Sequence, residues 1–218
     1  MKNLRAPAKI ALVIVLFAVT YVPIELLWQR LLPTYSRLLS AVAESVANVI
    51  ETRGSWYGVQ VKGDDFVVEA YIALPGNRSN QYSFDCTRPT NLVSYNIPLW
   101  AALATASAYF LKRKTRWKFL LLAPLIIVAW HVCDLTIFAK NARWMLLQDL
   151  HRQNPHFVDY NVKWQWFWWW LFELNRRIID PFLPLLLWIL FCARPFSAGL
   201  GRQTPTPAHS GAVPAYRK

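Results

Sequence analysis

Along the chain, long apolar runs alternate with short and strongly polar intervals. Four runs approach or exceed the roughly 20 residues a helix needs to cross a bilayer. They occupy 10–28, 92–111, 119–139 and a tryptophan-rich stretch ending in 171–192. The segment between the first two, 29–91, has a different rhythm. Its first part, TYSRLLSAVAESVANVIE, places Leu38, Leu39, Val42, Val46, Val49 and Ile50 at helical spacing. That spacing predicts an amphipathic helix lying on the membrane or on the other helices. YGVQVK then alternates with period two, and GDD signals a turn. FVVEAYIAL and QYSFDC follow on either side of a second turn at PGN, predicting three short antiparallel strands. The expected fold is an α-helical integral membrane protein, with four transmembrane helices and a small α+β insertion between helices 1 and 2.

Charge adds an orientation. The 218 residues carry a formal net charge of +12, which by itself would suggest nucleic acid. The excess is confined to three places, however. Lys2, Arg5 and Lys9 fall in 1–9; KRKTRWK fills 112–118; Arg194, Arg202, Arg217 and Lys218 fall in 193–218. Together these hold 12 basic residues and no acidic one. Lys and Arg concentrated beside alternate ends of apolar spans mark the cytoplasmic side. Both termini and 112–118 are therefore expected inside, in an inner (cytoplasmic) membrane, with 29–91 and 140–170 outside. Membrane lipid is the implied partner, and nucleic acid is not.

Further features refine this outline. No small-x-small cleavage site follows the first apolar residues of 10–28, so a retained helix is expected rather than a signal peptide. WQWFWWW, within 140–170, suits an aromatic belt at the outer interface. Arg176 and Arg177 lie eighteen and seventeen residues before Arg194, about 27 Å and 26 Å of helix, which also puts them near the outer surface. The tail is rich in Pro, Gly, Ser and Thr and is expected to be disordered. Asn77-Arg78-Ser79 matches a glycosylation sequon, which carries no weight if the expected bacterial origin holds.

Several polar residues have the makings of chemistry. His131 and Asp134 share a face of the third span, and ionisable groups inside a bilayer are costly enough to suggest function. An internal hydrogen bond that locks helix packing explains them equally well. Cys86 ends a strand pattern in which Tyr82, Phe84 and Cys86 share one face. As a nucleophile it needs an activating base or cation, with His131, Arg143 and Arg88 as candidates; otherwise it is a small apolar filler. Arg88, Asp134, Arg176 and Arg177 are candidates for binding a substrate or partner. Glu25, His131 and Asp134 together would suit a small proton-coupled transporter. His151 and His156 fit a solvated loop better than a metal site. Neither HExxH, paired CxxC nor a Gly-rich phosphate loop occurs, and neither metal nor cofactor is expected.

The order of elements resembles the exosortase/archaeosortase family of membrane transpeptidases. The stretch DCTRPTNLVSYNIPLWAALATASAYFLKRKTRWKFLLLAPLIIVAW carries the likeness: a cysteine at the outward start of a helix, a short basic cytoplasmic loop, then another helix. The likeness extends over about 80–192. It differs where the family has Ser-Gly or Ala-Gly after the cysteine, since this chain has Thr87-Arg88. Lys140 or Arg143 stands near the family arginine, and His151 or His156 near its histidine. In size and layout the chain is more similar to small exosortase H-associated membrane proteins. That resemblance implies an accessory binding the sortase or a sorted protein substrate; the family chemistry implies, as the alternative, a cysteine transpeptidase or protease using Cys86, His131 and Arg143.

Overall fold

Two long helices frame the molecule. The computed structural model describes residues 6–51, 55–73, 81–108, 110–153, 155 and 160–193. Helix α1 (Ala6–Ile50) and helix α4 (Arg113–Gln153) have 45 and 41 residues. Both contain stretches long and apolar enough to cross a membrane. At 1.5 Å per residue they reach about 67 Å and 61 Å, roughly twice a hydrocarbon core. Each therefore supplies an apolar half and a further half that packs against the rest of the chain.

Continuity of α1 corrects the expected separate amphipathic helix. Pro23 and Pro33 lie within it, and each removes an amide donor without ending the helix. The packed face also differs from the expected one. Ser36, Leu39, Ser40, Ala43 and Ala47 are buried, whereas Leu38, Val42, Val49 and Ile50 are exposed. Small side chains let α1 approach the sheet and α4 closely, which bulky ones would prevent.

That sheet contains β1 (Ser55–Lys62), β2 (Asp65–Ala73) and β3 (Gln81–Pro89), antiparallel in the order β1-β2-β3. Lys62 pairs with Asp65 across a tight turn, where Gly63 has φ +63°, a left-handed conformation that glycine adopts without a Cβ clash. The register aligns Tyr57, Ala70 and Phe84 in one row and Val59, Val68 and Cys86 in the next. These rows pack on Ala47 of α1 and on Phe138, Ala139 and Ala142 of α4. Helix α1 also covers the free edge of β1. The Asn48 amide donates to the Tyr57 carbonyl at 2.9 Å and accepts from its amide at 2.8 Å. Glu44 accepts from the Val59 amide at 2.9 Å. An edge that would otherwise invite pairing is thereby closed.

The expected span at 92–111 is divided into α2 (Thr90–Ser94) and α3 (Asn96–Ala108) by a turn at Tyr95. Ala102, Ala104, Ala106 and Ser107 of α3 are buried, again small residues at close helix contacts. Helix α4 runs fourteen residues past the expected exit at 139, to Gln153, so much of 140–170 is helix rather than loop. The chain returns in α5 (Val162–Leu174), a π-helical turn at Asn175–Ile179, α6 (Asp180–Trp188) and a second π turn at Ile189–Ala193. The inner core gathers Phe119, Ala123 and Ile127 of α4 with Leu183, Leu187 and Cys192. Lys2, Arg5, the sequon, His156 and the basic tail from Arg194 lie outside the described residues.

Candidate functional site

At the end of β3, one arginine is turned inward. Arg88 pairs with Phe66 in the sheet register, on the same face as Cys86 two residues earlier, and is 5% exposed. Its Nη1 donates to Asp134 of α4, and its Nη2 donates to Asp180 of α6 at 3.0 Å. Asn175 donates to the other oxygen of Asp134. Trp130 Nε1 donates to the other oxygen of Asp180 at 2.9 Å. Both carboxylates thus use both oxygens, and the guanidinium lies 5.5 Å from the centre of the Phe172 ring. Buried charges persist only when paired and hydrogen-bonded in this way.

The π turn makes this arrangement possible. In a regular α-helix, residues five apart lie about 140° apart around the axis. Asn175 and Asp180 are five apart, yet both reach the network. The Asp180 amide donates to the Asn175 carbonyl, the i→i+5 spacing that brings such residues to one side. Pro181 follows directly and has no amide donor, so the regular ladder is interrupted here in any case.

His131 is fully buried one turn below Asp134, but it belongs to another contact. Its Nδ1 lies 2.5 Å from the Tyr35 hydroxyl of α1, and its Nε2 has no partner among the described residues. Cys86 and Phe84 pack against the cluster to which α4 contributes Phe138, Ala139 and Ala142. Burial, with the charge of Asp85, pushes its thiol up to about 11. Its helical neighbours begin seven residues beyond His131, about 10 Å along the axis. Arg143 is elsewhere again: its Nε donates to Ser55 at 3.2 Å and lies 3.6 Å from Glu51. The structure does not bring Cys86, His131 and Arg143 together as a nucleophile, base and oxyanion donor.

The expected binding residues divide into two pairs. Arg88 and Asp134 are buried and paired with each other inside the chain. Arg176 and Arg177 point outward, with side chains 48% and 70% exposed, and share Glu173. Beside the network opens a pocket of about 360 Å³, bounded by Arg88, Leu92, Tyr95, Arg176, Arg177 and Pro181, with Asp180 at its wall. Glu25 lines a separate pocket with Trp28 and Asp64, apart from the His131 and Asp134 it would join in a proton path. His151 lies against Tyr160, ring centres 5.3 Å apart. Among the described residues no group of three His, Cys, Asp or Glu side chains is placed to hold a metal.

Sequence reasoning missed Trp130, Asn175 and Asp180. Asp180 had a signal, being an acid in an otherwise apolar run, the same criterion that marked Asp134. No family model, curated protein or solved structure matches the chain.

Proposed function

We propose that the protein is a non-catalytic accessory of the bacterial inner membrane, acting in exosortase-linked sorting by binding the sortase or a sorted protein outside the bilayer. The chain crosses four times: through α1, through α2 and α3, through α4, and through the helix over 162–193. Both termini then lie inside, consistent with the segregation of Lys and Arg. Likeness of layout to the exosortase-associated proteins supplies the partner.

One observation supports binding above the others. Leu31, Leu38, Val42 and Val49 are all more than half exposed, and at 100° per residue they fall within about 20° of one line along α1. The face packed on the sheet and α4 lies well round the helix from this line. The seam extends beyond the apolar span, past Gln29, Arg30 and Arg37, where lipid does not cover it. An exposed apolar stripe at this spacing suits another helix. Cysteine catalysis has the opposite support: a thiol pushed up to about 11 is not the reactive thiolate at neutral pH.

A photo-cross-linking side chain at Val42 or Val49, in the full chain in cells with an exosortase, tests the assignment. An adduct with the sortase or a sorted protein is expected, and it should disappear when Leu31→Asp/Leu38→Asp is added on the same exposed face. Cys86→Ala should leave sorting near its normal level. Absence of any adduct at both positions would overturn the accessory role. Loss of sorting in Cys86→Ala at normal protein level would favour the transpeptidase instead.

A further inference from the structure

We infer that the pocket beside the Arg88 network binds the phosphate group of an anionic phospholipid from the outer leaflet. The inference rests on the membrane-spanning assignment but not on any protein partner.

Available charge comes first. Asp134 and Asp180 engage the Arg88 guanidinium. At the rim, Arg176 and Arg177 share only Glu173, so two cations face one carboxylate. Arg177 uses Nε at 2.5 Å, and Arg176 uses Nη2 at 3.2 Å to each oxygen. Both terminal nitrogens of Arg177, and Nε and Nη1 of Arg176, make no hydrogen bond among the described residues. Such groups match the oxygens of a phosphate, which arginine can hold through two parallel bonds.

Position and lining then select a lipid over a soluble anion. From Arg176 to Ala193, the last described helical residue, the helix rises about 26 Å, close to one hydrocarbon thickness. The guanidinium groups therefore stand at headgroup level, while the chain below them lies among acyl tails. Leu92 and Pro181 give the pocket apolar walls, and Ile178 and Phe182 are exposed nearby. A headgroup phosphate at the rim with its acyl chains along those walls satisfies both halves of the site. Basic pockets between membrane helices on the cytoplasmic side hold anionic lipid headgroups, and the same pairing of arginine with phosphate is proposed here for the outer leaflet.

The test uses the purified full-length chain in detergent, titrated with phosphatidylglycerol, phosphatidylcholine or inorganic phosphate. Thermal stability and retained lipid by native mass spectrometry are the readouts. Phosphatidylglycerol should raise the melting temperature by several degrees and remain bound, with much smaller effects from the other two. Arg176→Gln/Arg177→Gln should lose most of that shift, as should Arg177→Gln alone in part, the latter guarding against misfolding of the double variant. Equal stabilisation of wild type and variants, no stabilisation of wild type, or an equal effect of inorganic phosphate would each overturn the lipid site. Because no partner protein is present, none of these results bears on the cross-linking test.

Discussion

Arg88 faces two carboxylates with one guanidinium, and its removal leaves both acids buried without a cation. Breaking a buried ion pair from one side costs about 3–5 kcal/mol. Arg88→Ala should therefore destabilise the full chain by about that much in a denaturant or thermal melt in detergent, and a loss below about 1 kcal/mol would show that Arg88 does not hold the fold. Arg88→Lys should rescue little, since an ammonium cannot fork planar bonds to two acids. At this scale the sequence was partly legible. Strand parity puts Cys86 with Tyr82 and Phe84 on one face, but that pattern was legible only as far as Cys86, whereas β3 continues to Pro89 and carries Arg88 to the same side. The apolar surroundings of Asp134 marked it as paired or functional. The pairing itself was hidden, because Arg88 meets Asp134 and Asp180 at separations of 46 and 92 residues, which no local pattern encodes.

Elements were legible where their period was regular. Alternation and the GDD turn specify three strands, with Tyr82, Phe84 and Cys86 on one face of the last, whereas apolar length marked only part of each long helix, 10–28 of α1 and 119–139 of α4. Pro33 lies inside α1, where the helix formers around it override the break that a proline favours. The π turn had no periodic signature at all, because it is a single extra residue between Asn175 and Asp180. Deletion of the exposed Ile178 should restore a spacing of four, which an ordinary α-helix places on one side. The deletion should thus keep the network and most of the thermal stability, whereas inserting one alanine at the same point should abolish both. A deletion variant that melts like Arg88→Ala would show that the wide turn is needed for itself.

For the whole molecule, Glu51 ties the C-terminal end of α1 to α4. It accepts from Lys140 and from Tyr57, and Arg143 is 3.6 Å away. Burial opposes ionisation of this carboxyl, but those bonds and charges outweigh it and hold it below its ordinary value of 4.5. A carboxyl lowered by folding contributes stability that is full above its unfolded value and is lost as pH falls through its folded one. The melting temperature should accordingly fall below about pH 4.5, less steeply in Glu51→Gln. Some acid sensitivity should persist in that variant through Glu69, also held low by Tyr71 and Lys62. A variant as acid-sensitive as wild type would remove Glu51 from this role.

Because α1 forms one wall of the layer around the sheet and α4 the other, assembly of that layer waits on synthesis. Ala47 and Ala142 belong to one core cluster, and 95 residues must be made after the first before the second exists. Until then the inward face of the sheet, with Tyr57, Val59 and Val68, has no opposing helix in α4. Closing so long a stretch of chain carries an entropic cost that grows with its length. A nascent chain stopped short of α4 consequently exposes an apolar strand surface, the kind of unfinished product that aggregates or is degraded.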